Sequence, residues 1–141
     1  MSIKLTLKLT TEEAQRIRLA MKPALVGTRG AEFVNHFYDK LFEVAPQLRS
    51  HFPAEITELK KKLLQVIGKI FHHLEDTQAI EKMLAEIKPA HHPLKNPEAV
   101  AATFVQCFAS AYQQTLSTDF PSSEWVLLEA MLIESVIELV S

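Results

Sequence analysis

Residues Ala31–Pro46, AEFVNHFYDKLFEVAP, decide how this chain is read. Phe33, Val34, Phe37, Tyr38, Leu41 and Phe42 recur at three- and four-residue intervals, which places them on one face of an α-helix. The spacing predicts a helix from about Thr28 to Val44. Pro46 then opens a short turn of helix, since proline suits a first turn and not an interior. Tyr38 is the exception on this stripe: its ring belongs in a core, but a buried hydroxyl needs a hydrogen-bond partner.

The same period extends in both directions. Thr10-Thr11-Glu12-Glu13 has the form of a capping box opening a first helix that runs to about Pro23. The short turn after Pro46 ends near His51-Phe52-Pro53. A long helix follows from about Ala54 to His73, striped by Leu59, Leu63, Val66, Ile67 and Ile70. A shorter one runs from Thr77 to about His91, striped by Ile80, Met83, Leu84 and Ile87. Pro97 begins a helix to about Leu116, and Ser122 one to about Val140. Ile3–Leu9, IKLTLKL, alternates as a strand would. It has no second strand to pair with, so residues 1–9 are expected to form an extended arm. The predicted class is all-α, six or seven helices in one domain spanning residues 1–141.

Composition agrees with that class. A chain of 141 residues suits a single core. An apolar fraction of 48% and a charged fraction of 23% are ordinary for a globular protein. The net charge of −2, with both signs interspersed, gives no reason to expect nucleic acid. No apolar run approaches the roughly 20 residues of a membrane span, and the start alternates where a secretory signal would be continuously apolar. The single cysteine, Cys107, excludes an intrachain disulfide and reads as small core filler. These features lead to a cytoplasmic protein with neither nucleic acid nor membrane as partner.

Chemistry enters at Pro89–Pro97, PAHHPLKNP, where two imidazoles stand between prolines. Neighbouring residues on a helix point about 100° apart, so His91 and His92 cannot address one point together. The stripe through Ile80, Met83, Leu84 and Ile87 continues by a four-residue step to His91, which is expected to face inward. His92 continues the row of Lys88 and is expected to face solvent. Pro89 introduces a kink into this argument. An inward histidine either satisfies a backbone carbonyl or binds a metal, and periodicity favours the former.

Taken in order, several motifs resemble those of a single-domain bacterial globin similar to the haem domain of flavohaemoglobins. They are Phe37-Tyr38-x-x-Leu41-Phe42-x-x-x-Pro46, His51-Phe52-Pro53, Leu59-x-x-Lys62-Leu63-x-x-Val66-Ile67-Gly68, His91, and Pro97-Glu98. The resemblance is good from about Ala31 to Tyr112 and weakest over the last helix. It implies a globin fold around haem b, with His91 as the proximal iron ligand and Phe52 wedged against the porphyrin. It also implies Tyr38, Leu59 and Leu63 on the distal side and Lys62 at a propionate. Ile87 and Phe104 belong to the implied haem pocket, and no catalytic residue is assigned. Haem is an apolar disc with two carboxylates, so aromatic and aliphatic walls with cations at the mouth suit it. One axial imidazole leaves the opposite face open for a gas. The alternatives are a Tyr38 hydroxyl bonded to a helix carbonyl, Phe52 as plain core, and Lys62 as a solvated cation.

The departures are informative too. Leu59 occupies a distal position usually held by glutamine or histidine, and can neither donate a hydrogen bond nor bind iron. That leaves Tyr38 as the distal donor. The family's tyrosine bracing the proximal histidine falls near Val100 or Ala101, and its glutamate falls nearest Glu138 on a poor match. A second-shell bond to the imidazole strengthens electron push, so its loss weakens peroxidase-like chemistry. His51 is placed to reach a propionate or to sit at the surface. The last helix has two apolar stripes: Trp125, Leu128, Leu132, Val136 and Leu139, then Val126, Ile133, Ile137 and Val140. A helix apolar on two sides predicts a homodimer contact. The expected function is reversible binding of dioxygen, with NO and CO as further ligands, at a five-coordinate iron. The alternatives are a nitric oxide dioxygenase served by a separate electron-donating reductase, and a haemless globin-fold module for protein association.

Overall fold

The computed structural model describes residues 3–91 and 93–141, and is all-helical. Its helices are α1 (Thr11–Leu25), α2 (Thr28–Val44), α3 (Thr57–His72), α4 (Thr77–Ile87), α5 (Pro97–Leu116) and α6 (Ser122–Val140). Two 3-10 turns, Pro46–His51 and Lys88–Ala90, complete the set. There is no strand among the described residues, and none of their helices is long and apolar enough to cross a membrane.

Local chemistry explains most of the boundaries. Thr10 and Glu13 form the reciprocal box: the Glu13 amide donates to Thr10 Oγ1 at 3.1 Å, and the Thr10 amide to Glu13 Oε1 at 2.9 Å. Asp76 caps α4 by accepting from the Ala79 amide at 3.1 Å. Gly27, at φ +57°, makes the left-handed step between α1 and α2 that a side chain would resist. Three bounds differ from the sequence expectation. α1 continues through Pro23 to Leu25, because a proline so near the end forfeits only one helical bond. α3 begins at Thr57, later than Ala54, and α4 stops at Ile87, short of His91.

The core is built around α5, which packs against both α2 and α6. α1 crosses α2, α3, α5 and α6, and α3 lies on α2 and α1. At Gly30 in α2 the helices approach closely: an added Cβ would sit 3.2 Å from a Leu64 methyl of α3 and 3.0 Å from the Leu25 carbonyl. Gly68 in α3 is exposed, and a Cβ there would meet nothing within 4 Å. The two glycines therefore predict opposite outcomes in urea melts. Gly68→Ala is expected to stabilise by about 0.8–1 kcal/mol, the helix-propensity gain. Gly30→Ala is expected to destabilise by about 1–3 kcal/mol through overpacking.

A partly buried ion pair ties the α3–α4 turn back to α1. Arg18 donates to Glu75 at 3.0 and 2.5 Å and to the Phe71 carbonyl at 3.0 Å. The Arg18 hydrogen bond is the main reason the Glu75 carboxyl falls from its ordinary 4.5 to about 2. A depressed carboxylate stabilises the fold above its unfolded value and loses that contribution as the proton returns. Acid unfolding is thus expected to lose up to about 1 kcal/mol between pH 4.5 and 2, because both side chains keep roughly a quarter of their exposure. Following stability against pH in Glu75→Gln checks this, since that step should disappear.

The doubled stripe on α6 is largely accounted for within the chain. Ile133, Ile137 and Val140 pack with Leu94, Val100 and Ala101 in a second small core. The Leu94 amide donates to the Val140 carbonyl at 2.8 Å, fastening the α4–α5 loop to the end of α6. Val126 alone of that stripe stays strongly exposed, at 66%.

Candidate functional site

Tyr38 projects from α2 into the core and keeps 6% of its surface accessible. It belongs to a connected aromatic group. Its ring lies 5.5 Å from Phe37, 5.9 Å from Phe42 and 6.0 Å from Phe52, and Phe37 lies 4.9 Å from Phe104. Three of the residues nominated from the sequence, Tyr38, Phe52 and Phe104, are thereby brought together. Burial pushes the Tyr38 hydroxyl up to about 12, so it remains protonated and able to donate across the physiological range. The chain's other tyrosine, Tyr112, donates to the Ala20 carbonyl at 2.6 Å. No hydrogen bond from the Tyr38 hydroxyl to a helix carbonyl is seen among the described residues, and the buried side-chain atom left without a partner is Thr115 Oγ1, not the Tyr38 hydroxyl.

Phe52 is held by a residue that the sequence reading passed over. The Arg49 guanidinium donates to the carbonyls of Phe52, Pro53 and Ala54 at 3.3, 2.8 and 2.9 Å, and its carbon lies 5.0 Å over the Phe42 ring. Carbonyls engaged by a side chain are drawn out of helical pairing, which delays the start of α3. Arg49 thus fixes the loop that sets Phe52 against Tyr38 and Phe42.

α3 and α4 are consecutive in the chain, yet they make at most a marginal contact. α3 rests on α1 and α2, while α4 rests on α6. Consecutive helices joined by a short turn ordinarily pack together. Leu59, Leu63 and Val66 along α3, and Met83 and Ile87 along α4, are half-buried apolar positions at helical spacing. Leu63, Val66, Met83, Ile87, Phe52 and Phe104 all pack against the main core. Lys62 is exposed.

His91 departs from the sequence expectation in two ways. It does not lie on a continuing helix, and it is exposed where an inward position was expected. Pro89 is the cause, because it has no amide proton with which to extend α4. The chain tightens into the Lys88–Ala90 turn, and His91 is extended at φ −105° and ψ 136°. In a continued helix the His91 amide would bond the Ile87 carbonyl. That amide bonds the Lys88 carbonyl at 2.9 Å instead. His91 Nδ1 lies 3.0 Å from the Ile87 carbonyl oxygen in its place. A carbonyl can only accept, so Nδ1 is the donor, which is the carbonyl-satisfying role that periodicity favoured; in the neutral tautomer that makes this bond the lone pair lies on Nε2. The expectation that His92 faces solvent lies outside the described residues.

A cavity of about 570 Å³ opens between the Pro46–His51 turn, the α4–α5 loop and the first turns of α5. Leu48, Leu94 and Val100 give it apolar walls, and His51 and Lys95 add two basic side chains. None of the eight residues nominated for the cofactor or its gas lines it, although His51 and Thr103 adjoin Phe52 and Phe104 in sequence. Lys95 was missed from the sequence because nothing in a loop marks which lysine stands beside a cavity. Among the described residues, no group of three or more His, Cys, Asp or Glu could hold a metal ion. In comparisons with known proteins, no family model matches the chain, and no curated protein or solved structure matches it.

Proposed function

We propose that the chain is a haem-binding protein of globin type whose task is the reversible binding of a diatomic gas, dioxygen first. The observation that carries this reading is the aromatic group that brings Tyr38, Phe52 and Phe104 together; His91 satisfies the Ile87 carbonyl through Nδ1, and its other ring nitrogen is the one that could hold an iron. An axial imidazole needs its far nitrogen unprotonated and its ring orientation fixed by a bond at the near one. The wider surroundings fit the group as well. Leu59, Leu63 and Val66 of α3 and Met83 and Ile87 of α4 supply half-buried aliphatic side chains of the kind a porphyrin packs against. When bound, haem would supply an iron able to take up a diatomic gas, and His91 is the residue that would hold it. His51 and Lys95, at a cavity that none of the nominated residues lines, and the exposed Lys62 are the basic side chains that could meet its carboxylates.

Tyr38 gives the reading its selectivity. Its hydroxyl stays protonated to about pH 12 and makes no hydrogen bond to a helix carbonyl among the described residues. It can therefore donate to a guest carrying partial negative charge. Binding is favoured over turnover because the His91 ring proton goes to a neutral carbonyl and not to a carboxylate. The positions of the missing family tyrosine, Val100 and Ala101, are apolar, so no hydroxyl assists there. The haemless association module and the homodimer drew on the doubled stripe of α6. Val126 is what remains of that motive, and solution mass at micromolar concentration decides it.

The test is titration of the purified chain with haemin, followed by spectra in the ferric, ferrous and gas-bound forms. A Soret band with saturable one-to-one binding is expected. Tyr38→Phe is expected to speed dioxygen release roughly ten- to a hundredfold, matching the loss of about 1.5–3 kcal/mol for a bond to a charged acceptor. Carbon monoxide, being less polarised, should respond far less. A chain that refuses haemin ends the proposal.

A further inference from the structure

The segment before α1, Ile3 to Thr10, has no regular secondary structure, and its burial alternates residue by residue, with no strand to pair with among the described residues. It is nevertheless docked. Ile3, Leu5 and Leu9 are buried to 5–7% exposure, while Lys4, Thr6 and Lys8 face outward. Its backbone donors are taken up by carboxylates on two different helices. The Leu5 amide donates to Glu81 Oε2 of α4 at 2.7 Å. The Thr6 amide donates to Glu134 of α6, and Thr6 Oγ1 donates to the same carboxylate at 2.7 Å. These are charge-assisted bonds, the stronger kind, and they stand in for the ladder of a partner strand.

The helix they hold is the one with the fewest other supports. α4 has eleven residues, rests on α6, and barely touches α3. A short helix on one neighbour is free to tilt unless a second tie crosses the seam. The arm makes that tie, with consecutive residues 5 and 6 anchored on α4 and α6 respectively. At its far end α4 passes through Ile87, whose carbonyl holds the His91 ring. A tilt of α4 therefore moves the imidazole.

We propose that residues 3–9 are a strap that fixes α4 on α6, with Glu81 and Glu134 as positioning residues that set the orientation of His91. The strap itself stands on the contacts of the arm, and its effect on His91 rests on the haem reading above. Two measurements keep these apart. The first is amide hydrogen exchange on the full chain without added haemin, comparing wild type, Glu81→Ala, Glu81→Gln and Glu134→Ala. Both alanine variants should speed exchange of the α4 amides at least tenfold while α5 is unchanged. Glutamine, whose amide oxygen still accepts from Leu5, should restore most of the protection. Equal acceleration in every helix, or none in α4, overturns the strap. The second is the iron–histidine stretching band after haemin is added. It should shift or broaden in Glu81→Ala and return in Glu81→Gln; an unmoved band, with α4 loosened, overturns the effect on His91. If no Soret band forms even in wild type, the haem reading fails, and exchange alone still decides the strap. Deleting residues 1–8 should reproduce the alanine result. Should that deletion fail to fold, the point variants carry the test.

Discussion

Replacing His91 by alanine is expected to weaken haemin binding at least about a hundredfold, a loss near 2.8 kcal/mol, and to remove the Soret position of an imidazole-bound iron. The same change at His92 should leave both in place. The physical basis is the state of the His91 ring. His91 Nδ1 is committed to the Ile87 carbonyl, so Nε2 is presented as a lone pair with one orientation. That is the condition for a ligand, and the alanine variant removes it without touching any buried side chain, because His91 is exposed. The fold should therefore survive, with helical content and urea midpoint changed by no more than about 0.5 kcal/mol. Adding free imidazole to His91→Ala should restore the spectrum, since it supplies the missing nitrogen without the tether. If His92→Ala is the variant that bleaches, or if neither does, the axial assignment fails. If His91→Ala unfolds the chain, the ring serves chiefly as a cap on the end of α4.

How far this site could be read from the sequence depended on what kind of interaction set each part. The stripe of α2 and the bounds of α2, α5 and α6 were legible because they rest on local signals. Periodicity at Phe33 to Phe42 is one, and proline at Pro97 is another, whereas α6 starts after Pro121 with no side-chain cap from Ser122. The end of α4 was not, since the rotation that pointed to His91 was carried across Pro89, where the helix stops. A side-chain bond delivered the ring instead, and no periodic rule encodes it. The loop carrying Phe52 was hidden for a similar reason: Arg49 reaches three carbonyls, a feature of three-dimensional reach and not of spacing. For the arm, alternation was legible and the partner was not. Its ladder is made of Glu81 and Glu134, separated from it by 76 and 128 residues. On α6 the two stripes were plain in sequence, but which chain covers them is decided by the α4–α5 loop folding back onto Ile137 and Val140.

Phe108→Ala is expected to cost about 3–5 kcal/mol, the largest single effect on stability in this fold. The residue is fully enclosed, and its ring joins the helices that matter most. It meets Phe33 of α2 edge-on at 5.0 Å, and lies 6.4 Å from Phe71 of α3 and 6.1 Å from Trp125 of α6. Phe104, one turn earlier on α5, is 6.5 Å away and leads through Phe37 to Tyr38. Truncation leaves a cavity where four elements converge, and packed neighbours can close it only by moving together. Against a total stability of about 5–15 kcal/mol the loss is severe but survivable. Urea unfolding should show a lowered midpoint with an unchanged slope, as expected when the native state is weakened without changing the surface exposed. Trp125, the only tryptophan, sits on the Phe108 ring, so its fluorescence should shift in the folded variant as well. Val126→Ala, one residue along and 66% exposed, should stay within about 0.5 kcal/mol of wild type. A Phe108→Ala loss below about 1 kcal/mol would mean that α5 is not the axis on which these helices are assembled, and the aromatic path from Phe108 to Tyr38 would then lack the rigidity that a fixed hydroxyl requires.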